Sequence, residues 1–553
     1  MKLSGILLVF LFSYNGYGQT IGLTSYTPQN HDGYVLFSGI SSNETYLIDK
    51  CGNKVHEWTS SYKPGLSVDL LPTGDLLRTC AVTSPWFGSG SGKGGVVEIY
   101  DWNGNVLWNY QVSDSLYCQH HDAIVLPNGN VLVVTWASKT LSDATQAGKN
   151  PAVTTVLNDQ MVWSESIIEL QPINSDSAEI VWQWNAWDHL VQDFDSTKNN
   201  FGVVSDHPEL LNVNYVAPGP PTNPDWLHIN SVDYNPLTDE IVLSSHSFGE
   251  FWIVDHSTTT VEAAGHAGGN SGKGGDILYR WGNPQTYDRG TIADQKLFKQ
   301  HHATFIKPGF PNEGKILVFN NGKGRLGGDY SSVDMIDISE AGYPYTIGAI
   351  NPYAPTDLFW TYESTNPSDF YAQNISGAFA LENGAILFTD GPKGEFIEIN
   401  SQSEIVWSYV NPTNNTGIMT QGDIPSLNTV FRAQFYPIDY PGLAGQNLSS
   451  QGAIELAPQS PSLCELLSAD NIDKSSFKLY PNPVKLGQVI NISGELEHFS
   501  VVKIYDLMGV LVYQGRFSEY SFILDTTVLN TGCFLIECIG SNHKEVIRLV
   551  VVE

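Results

Sequence analysis

A short phrase recurs along this chain with its first residue exchanged, and this repetition constrains the fold more than any other feature. Three copies begin with His121, His228 and His301. Two further copies carry Leu66 and Ser376 at the same offset. Self-similar segments are the signature of repeat architectures, in which each unit buries its apolar face against the next unit. If the equivalent positions point at one shared axis, the three histidines are predicted to meet there.

The repeated unit consists of short alternating or apolar segments separated by turn sequences such as Leu-Pro-Asn-Gly. Each unit ends in a phrase with a closing tryptophan, and six such units follow one another: Trp58, Trp108, Trp182, Trp281, Trp360 and Trp407. About four short strands per unit, split by turn residues, are typical of a β-propeller blade. We therefore predict an all-β fold with a six-bladed β-propeller, whose ring is closed by a strand within residues 428–436.

The composition changes along the chain predict four segments. Residues 1–18 combine a lysine, an apolar run and small residues, which is the pattern of a signal peptide. We predict the propeller over 19–442, a linker rich in Gln, Ser, Ala, Pro and Asn over 443–473, and a small C-terminal β-sandwich over 474–553. No later stretch reaches the ~18 apolar residues of a membrane-spanning helix. We expect a secreted or cell-surface protein without a membrane span.

The net charge and the cysteines exclude several classes of function. The formal net charge is -31, from 27 Lys and Arg against 58 Asp and Glu, which argues against nucleic acid and anionic membranes as partners. An anionic substrate must therefore be held by local donors. The six cysteines have no metal-ligand spacing, so one or two disulfides in an oxidising compartment are plausible. We predict no cofactor and no metal site, since no motif indicates nicotinamide, haem or zinc.

The candidate site follows from the register of the repeats. The innermost strand of a propeller blade lines the central channel, and the turn that follows His121 places this residue at the start of such a strand. His228 and His301 are predicted in the same register. His246 ends the next strand, which runs back to the same mouth because antiparallel neighbours reverse direction. The adjacent His120 should point away from the axis, since strand side chains alternate.

The end of the chain resembles a known export module. The Tyr480-Pro-Asn-Pro phrase and the terminal strand-like run Val546-Ile-Arg-Leu-Val-Val-Val resemble the C-terminal sorting domain of the type IX secretion system of Bacteroidetes. The resemblance implies that the type IX secretion machinery is a partner of this protein.

The predicted propeller, from Gly33 to Tyr440, resembles the bacterial arylsulfate sulfotransferases. The resemblance is carried by these phrases in family order: Trp187-Asp-His-Leu-Val-Gln-Asp-Phe-Asp, Asp225-Trp-Leu-His-Ile-Asn-Ser-Val, Ile277-Leu-Tyr-Arg-Trp-Gly-Asn-Pro, Gln300-His301 with Phe319-Asn-Asn-Gly, and Phe431-Arg-Ala with Tyr436-Pro-Ile-Asp-Tyr-Pro. It implies transfer of a sulfuryl group from an aryl sulfate to a phenol, both small molecules, without a nucleotide sulfate donor.

The resemblance also implies residue roles. The transiently sulfated nucleophile of the family maps onto His301, the His-x-Asn pair onto His228 and Asn230, and the earlier His-Asp phrase onto His121. This chain has His246 where the family has an arginine. We expect a protonated His246 to bind the sulfate oxygens with Asn230, and Arg325 is a second candidate to replace the lost guanidinium. This places His301, His228 and His121 in catalysis and Asn230, His246 and Arg325 in substrate binding.

General chemistry is compatible with these roles and leaves two alternatives open. A neutral imidazole is a competent nucleophile near neutral pH, and a second histidine, His121 or His228, can serve as acid and base for the phenol. Converging imidazoles can instead bind Zn²⁺ or Cu²⁺ in a metal-dependent enzyme. The third possibility is a secreted, non-catalytic binding propeller whose histidines line an inert channel.

Overall fold

The computed structural model describes residues 19–88, 90–154, 161–216, 224–459, 462–464, 478–493, 499–506, 510–516, 522–540 and 544–552. These residues are almost entirely strands and turns, so the predicted all-β class is confirmed. Helix is rare in these ranges, and the helices α1 (Leu141–Gln146) and α2 (Thr260–Ala263) are short. No helix in the described ranges has the length and apolarity to cross a membrane. The predicted signal peptide lies outside the described residues.

The described residues form two compact units. The larger unit comprises residues 29–419 and 425–454, and the smaller combines 19–28, 420–424 and the described residues from 455 onward. The smaller unit contains β1 (Gly22–Tyr26) and the C-terminal strands.

Six antiparallel sheets, each with four strands from the larger unit, form most of that unit and are numbered here in chain order. Sheet 1 has β2 (Gly33–Ser38), β3 (Glu44–Asp49), β4 (Lys54–Thr59) and the late strand β29 (Gln434–Pro437). Sheet 2 has β5 (Lys63–Leu70), β6 (Leu76–Ala81), β7 (Gly95–Tyr100) and β8 (Val106–Gln111). Sheet 3 has β9 (Tyr117–Val125), β10 (Val131–Thr140), β11 (Met161–Asn174) and β12 (Ser177–Asn185).

The remaining three sheets repeat the same order. Sheet 4 has β15 (Ile229–Asn235), β16 (Glu240–Ser245), β17 (Glu250–Asp255) and β18 (Tyr279–Trp281). Sheet 5 has β19 (His301–Phe305), β20 (Ile316–Asn320), β21 (Ser332–Ile336) and β22 (Trp360–Tyr362). Sheet 6 has β23 (Gly377–Ala380), β24 (Ile386–Asp390), β25 (Glu395–Ile399) and β26 (Ile405–Val410).

Minor elements connect these sheets. Two short pairs are β13 (Leu190–Val191) with β14 (Leu211–Asn212), which is parallel, and β27 (Thr413–Asn414) with β28 (Gly417–Ile418). In the described ranges the 3₁₀ helices include Pro151–Val153, Ala186–Asp188, Val204–Asp206, Pro284–Tyr287, Ile338–Ala341, Pro367–Asp369, Pro441–Leu443 and Thr526–Val528.

Sheet 1 joins the two ends of the larger unit. Strand β29 pairs antiparallel with β2, with Gly33 opposite Pro437 and Leu36 opposite Gln434. In the other five sheets the four strands follow one another in sequence. The strand that completes the first sheet is therefore supplied by a segment that overlaps the predicted closing strand.

Neighbouring sheets contact one another in chain order and the last sheet returns to the first. Strand β2 contacts β5, β5 contacts β9, β9 contacts β15, β15 contacts β19 and β19 contacts β23. Sheet 6 then meets the β3–β4 turn of sheet 1, where Lys50 Nζ lies 2.5 Å from Glu398 Oε2. Phe37 of sheet 1 packs on Phe396 of sheet 6, with ring centroids 4.9 Å apart.

The closing tryptophans connect successive sheets. Each of the six lies on the fourth strand of its sheet, and five of their indole N–H groups donate to the next sheet: Trp58 to Asp101 O (3.0 Å), Trp108 to Ser177 O (3.2 Å), Trp182 to Thr258 Oγ1 (3.1 Å), Trp281 to Pro355 O (2.7 Å) and Trp407 to Lys50 O (2.8 Å). The last bond runs from sheet 6 to sheet 1. Buried indole N–H groups need such partners, and here the partner belongs to the adjacent sheet.

The C-terminal strands form two sheets around a common core. One sheet contains β30 (Lys478–Tyr480), β32 (Val489–Ser493) and β35 (Phe522–Asp525), and the other contains β31 (Val484–Lys485), β33 (Phe499–Asp506), β34 (Leu511–Arg516), β36 (Gly532–Gly540) and β37 (Lys544–Val552). Ile490 and Leu524 of the first sheet share a buried cluster with Val502, Ile536 and Leu549 of the second. Two sheets packed face to face are the arrangement expected for a β-sandwich.

The cysteines fit an oxidising compartment. Cys51 and Cys464 are each disulfide-bonded, whereas Cys80, Cys118, Cys533 and Cys538 form no disulfide. Burial raises the pKa of Cys80 to about 12 and that of Cys118 to about 11. These two thiols are therefore poor nucleophiles.

Replacing Trp407 by Phe tests the bond between the last and first sheets. The substitution leaves the Lys50 carbonyl without its donor and weakens the contact of the Lys50 ammonium, which lies 3.7 Å from the Trp407 ring centroid. We expect a loss of about 1–3 kcal/mol in the free energy of unfolding, measured by urea denaturation. Trp86→Phe is the control because Trp86 is 55% exposed. Equal unfolding midpoints for the two variants would contradict the prediction.

Candidate active site

Five aromatic rings form a closed circuit where the first strands of sheets 3, 4 and 5 meet the segment before β29. The ring centroids of His121 and His228 lie 4.6 Å apart, and those of His228 and His246 lie 4.8 Å apart. His301 follows at 5.4 Å from His246. Phe431 completes the circuit at 6.3 Å from His301 and 6.0 Å from His121. The structure thus brings together the four histidines that the sequence places at one axis.

Backbone bends at the strand starts aim two of these rings. His121 and His228 both adopt left-handed conformations with φ of 52°, and the pairing of β9 with β10 is irregular around His121. Leu66 and Ser376, the equivalents in other repeats, also have positive φ. Left-handed non-glycine residues cost of order 1–3 kcal/mol and concentrate at functional sites, as bulges that re-aim side chains do.

Sheet 5 departs from this register by one residue. The left-handed conformation falls on His302, with φ of 57°, and the pairing shifts between His301 and Thr304. The His302 ring turns away from the circuit to the Ala378 carbonyl, 3.0 Å from Nδ1, and to the Phe379 ring. His301 therefore reaches the circuit from the position before the bend, and the predicted identity of register with His121 is wrong by this one residue.

Asn321 determines the tautomer of His301. Nδ1 of His301 lies 2.7 Å from Oδ1 of Asn321, while Nδ2 of Asn321 donates to the carbonyls of Ala372 (2.8 Å) and Ile375 (2.9 Å). Because the amide nitrogen is occupied as a donor, Oδ1 accepts and Nδ1 of His301 carries the hydrogen. The lone pair of the neutral ring is then on Nε2.

Asp225 determines the charge of His228. Nδ1 of His228 lies 2.5 Å from Oδ2 of Asp225, and both side chains are largely buried. Burial alone would lower the pKa of His228, but the Asp225 carboxylate raises it above the ordinary value of 6.5. Burial likewise opposes ionisation of Asp225, yet the neighbouring imidazolium lowers its pKa. His228 is therefore the cationic ring of the circuit.

A buried polar chain runs behind His121. Nδ1 of His121 lies 2.7 Å from Nδ1 of His120, and Nε2 of His120 lies 2.7 Å from Oε2 of Glu165. The ring of Trp136 stacks on His120 with centroids 4.3 Å apart. His120 is not one of the five rings of the circuit, but it is hydrogen-bonded to one of them, His121.

The other three histidines of the circuit are neutral near neutral pH. Burial, reinforced by the His228 charge, lowers the pKa of His121 and His246 well below 6.5. Burial lowers the pKa of His301 to about 3, although its bond to Asn321 works in the opposite direction. The expectation of a protonated His246 is therefore wrong, because burial and the positive charge of His228 both oppose protonation of its ring.

Lys299 places an ammonium beside the circuit. Its charge lowers the pKa of His228 and His246, so the ammonium lies close enough to act on both rings. Burial, together with the charge of Lys323, lowers the pKa of Lys299 itself to about 8. Lys299 stands two residues before His301 and is not among the site residues predicted from sequence.

The arginines contribute differently. Arg432 acts electrostatically on the histidines of the circuit but is paired with the buried carboxylate of Asp122. Arg325, the predicted replacement for the family arginine, instead donates to Ser332 Oγ at 2.5 Å and lies 4.3 Å from the Tyr330 ring centroid. The described contacts of Arg325 therefore lie with these two residues and do not bring it to the rings of the circuit.

Asn230 contacts the backbone around His301. Its Nδ2 donates to the Gln300 carbonyl at 2.8 Å, and its Oδ1 accepts from the His302 N–H at 3.4 Å. These bonds tie β15 to β19 on both sides of His301. The described contacts therefore give Asn230 a part in positioning His301.

The residues that contact or act on the histidines were not predicted from the sequence, although some of them lie in or next to recognisable phrases. Asp225 and Asn321 stand inside phrases that carry the family resemblance, so their positions were visible although their roles were not. Lys299 is adjacent to one such phrase. Glu165 gives no local signal, because it lies 45 residues from His120 in the sequence and meets it only through the pairing of sheet 3.

A separate histidine cluster lies outside the circuit. Nδ1 of His189 and Nδ1 of His266 lie 2.9 Å and 2.7 Å from the same oxygen of Asp276, and Nε2 of His189 lies 2.8 Å from the Ala263 carbonyl. Among the described residues this is the one group whose ligand atoms are close enough to hold a metal ion. The geometry for a metal ion therefore lies at this cluster and not among the imidazoles of the circuit.

Neutral imidazoles beside a buried imidazolium and an ammonium, in an all-β protein, define a candidate catalyst of group transfer from an anion. The family model for arylsulfotransferase (ASST) matches residues 45–432. The chain belongs to this family. The secretion system C-terminal sorting domain matches residues 478–553, which indicates a secreted or cell-surface protein.

The other comparisons are weak. No curated protein matches the sequence. A protein of unknown function from Bacteroides caccae is 11% identical with a TM-score of 0.37, covering 69% of this chain and 94% of its own. A streptogramin B lyase is 11% identical with a TM-score of 0.34, covering 77% and 96%. Virginiamycin B lyase from Staphylococcus aureus is 10% identical with a TM-score of 0.32, covering 71% and 85%. These likenesses indicate no activity for this chain.

Gly92 provides a test of the His121 position. Gly92 has φ of +78°, and a Cβ built on it would lie 2.2 Å from His121 Nε2. Gly92→Ala should displace the His121 ring and lower sulfuryl-transfer activity about 100-fold, as a shift of ~1 Å can. Gly104→Ala is the matched control, because Gly104 has φ of +81° with nothing within 4 Å of the added Cβ. Equal activity in the two variants would show that the His121 position is unimportant.

Proposed function

We propose that this protein is a secreted arylsulfate sulfotransferase that moves a sulfuryl group from a phenolic sulfate ester to a phenol through a sulfated His301, without a nucleotide sulfate donor. The observation that carries the proposal is the state of His301 in the five-ring circuit. Asn321 holds its Nδ1 as a donor, and burial keeps the ring neutral. Nε2 is then a nucleophile at any pH above the lowered pKa of this ring.

The architecture that we propose for this activity is a closed six-bladed propeller. Its support is the cyclic order of contacts, in which Trp407 of sheet 6 donates to Lys50 of sheet 1 and β29 completes the first sheet. The first strands of the sheets would then surround a channel with the histidines at one mouth. We propose the propeller within 19–442, a linker over 443–473, the sorting domain within 474–553 and an export signal within 1–18.

His228 and Lys299 are the groups that we assign to the sulfate oxygens. Sulfuryl transfer, like phosphoryl transfer, leaves charge on the equatorial oxygens of a loose transition state, so positioned cations stabilise it. The Asp225 carboxylate keeps His228 protonated, and Lys299 supplies a second positive charge. Together these two cations would bind the sulfate oxygens in place of the arginine that this chain replaces by His246. They would also attract an anionic substrate to a protein whose net charge is -31.

His121 is the ring that we assign to the phenol oxygen. Its Nδ1 is engaged with His120, which leaves Nε2 to exchange a proton. A leaving phenolate gains from an acid, and an incoming phenol must lose its proton to attack, so one group serves in both half-reactions. Asn230 positions His301 through the backbone bonds on either side of it.

The intact mass of the protein tests the covalent intermediate. After reaction with 4-nitrophenyl sulfate in the absence of acceptor, the chain should gain one sulfuryl group on a histidine, and His301→Ala should abolish both the adduct and nitrophenol release. The matched control is His207→Ala, which removes a half-exposed ring paired with Glu209 outside the circuit and should keep the adduct.

The same experiment separates the alternatives. No adduct and no phenol release from any aryl sulfate would favour the non-catalytic binding protein. Activity that is lost on treatment with a chelator and regained with Zn²⁺ would favour the metal-dependent enzyme.

The charge of His228 predicts the alkaline side of the pH profile. Because the folded-state pKa of His228 is raised, its cation is present below that pKa and is lost as the pH rises through it. The transfer rate should therefore fall on the alkaline side with an apparent pKa above 6.5. Asp225→Asn removes the carboxylate, so burial would dominate and the fall should begin below pH 6.5. The transfer rate at a fixed alkaline pH should then drop about tenfold for each pH unit by which the alkaline limb moves.

Asp239→Asn is the control for that profile. It removes the carboxylate from another His–Asp pair, in which His256 Nδ1 lies 2.9 Å from the partly exposed Asp239, and it should leave the profile unchanged. An alkaline limb at the same pH in Asp225→Asn and in the unaltered protein would exclude His228 as the group that binds the sulfate oxygens.

A further inference from the structure

We infer that Glu165 is the proton store of the reaction and exchanges its proton with the phenol oxygen through His120 and His121. The inference rests on the proposed function, since it concerns the acid and base of the same transfer. Glu165 touches no reacting atom in this scheme. It acts through His121 as a positioning and proton-storing residue.

The geometry is an unbroken line of hydrogen bonds. Oε2 of Glu165 lies 2.7 Å from Nε2 of His120, and Nδ1 of His120 lies 2.7 Å from Nδ1 of His121. His120 therefore uses its two ring nitrogens for successive contacts, as a relay requires. The line begins at a fully buried carboxyl group and ends at Nε2 of His121, on the ring next to that of His228 in the circuit.

This line has two forms in which every imidazole is neutral. In the first, Glu165 is protonated and donates to His120 Nε2, His120 Nδ1–H donates to His121 Nδ1, and His121 Nε2 carries a hydrogen. In the second, Glu165 is a carboxylate that accepts from His120 Nε2–H, His121 Nδ1–H donates to His120 Nδ1, and Nε2 of His121 has a free lone pair. His121 is an acid in the first form and a base in the second.

The relay resolves a difficulty of the site. Burial and the charge of His228 lower the pKa of His121, and burial lowers that of His120 to about 3, so neither ring can store a proton as an imidazolium near neutral pH. Burial and the charge of Asp225 have the opposite effect on Glu165 and raise its pKa well above the ordinary value. The carboxyl group is thus the member of the line that holds a proton at rest.

Glu165 differs from two other buried glutamates of the larger unit, which are paired with cations. Glu250 is paired with the Arg280 guanidinium at 2.6 Å, and Glu398 is paired with the Lys50 ammonium at 2.5 Å. A neighbouring cation favours the ionised form of such a carboxylate. The partner of Glu165 is an imidazole that is itself neutral, so this carboxyl group is free to change its protonation state.

The surroundings of Glu165 also accommodate its ionised form. The N–H of Ile229 donates to Oε1 at 3.0 Å, and the backbone and ring of His228 favour the carboxylate, while Asp225 opposes it. These groups of sheet 4 and the segment before it, together with His120, are the charged and titratable groups that act on Glu165. The Ile229 N–H and His228 stabilise the Glu165 carboxylate while His301 is sulfated.

The first half-reaction balances with this line. The Nε2 lone pair of His301 forms the N–S bond, and the S–O bond breaks with its electron pair on the phenol oxygen. That oxygen takes the Nε2 proton of His121, His121 Nδ1 takes the proton of His120 Nδ1, and His120 Nε2 takes the proton of Glu165. The products are a neutral phenol, sulfated His301 and the Glu165 carboxylate, with the total charge unchanged.

The second half-reaction runs the line in reverse. An acceptor phenol gives its proton to His121 Nε2 as its oxygen attacks sulfur and the N–S bond breaks with its pair on His301. The proton passes through His120 and restores the carboxyl group of Glu165. No external acid or base is consumed in a full cycle.

The dependence of the sulfation rate on the leaving group tests the relay. Glu165→Gln keeps a hydrogen-bonding side chain but cannot give up a proton. With phenyl sulfate, whose phenolate is a poor leaving group, the variant should sulfate His301 about 100-fold or more slowly than the unaltered protein. With 4-nitrophenyl sulfate, whose leaving group needs little acid help, the loss should stay within about threefold. Both rates are measured as first-half reactions, by intact mass and by nitrophenolate release.

Two variants make the test specific. His120→Gln breaks the line while leaving Glu165 in place, and it should show the same selective loss with phenyl sulfate. Glu169→Gln is the matched control, because Glu169 lies on the same strand but pairs with His256, at 3.1 Å, outside the circuit. Equal losses for both substrates in Glu165→Gln, or no loss for either, would overturn the relay while leaving sulfation of His301 intact.

Infrared difference spectroscopy provides a readout that needs no turnover. At neutral pH the unaltered protein should show the C=O stretch of a buried carboxylic acid that is missing in Glu165→Gln and present in Glu169→Gln. A spectrum without that band would contradict the storage of a proton on Glu165, even if the protein is an active sulfotransferase. Absence of sulfation with either substrate in the unaltered protein would instead mean failure of the proposed function.

Discussion

The indole hydrogen bond between one sheet and the next is the contact on which the rest of the structure depends. Each such bond joins the fourth strand of one sheet to its neighbour, and the bond from Trp407 to Lys50 joins the last sheet to the first. These bonds hold successive sheets together. His121, His228 and His301 lie on or next to the first strands of three of these sheets, so the contacts between their rings depend on the contacts between the sheets.

The second constraint is the burial of the histidine rings. A buried histidine ordinarily loses its charge, and three rings of the circuit do so, whereas His228 keeps its charge because Asp225 accompanies it. Side chains of the same residue type therefore differ in charge. Hydrogen bonds with Asn321 and His120 engage Nδ1 of His301 and Nδ1 of His121, so Nε2 of each ring is left for other contacts. Burial and hydrogen-bond partners, and not residue type, separate the neutral rings from the cationic one.

These facts explain what could be read from the sequence. The period of the repeats predicts that His121, His228, His246 and His301 converge, because register along a strand is a local property. The one-residue bend at His302 could not be predicted, since it depends on how β19 pairs with β20. Glu165 and Lys299 were missed because their importance lies in contacts across strands. The charge of each ring also depends on burial and on contacts between strands, so it could not be predicted from the sequence. This is why the expectation of a protonated His246 was wrong.

The exchange of the family arginine for His246 illustrates how the site distributes charge. A guanidinium is always protonated. Here the charges assigned to the sulfate oxygens are those of His228, whose cation is present below its raised pKa, and of Lys299, whose pKa burial lowers to about 8. Under the proposed function, an arginine at position 246 would favour binding of the sulfate, but it would also favour ionisation of the Glu165 carboxyl group and so remove the stored proton from the line behind His121. A neutral His246 avoids that conflict. The substitution and the stored proton are thus consistent parts of one electrostatic arrangement.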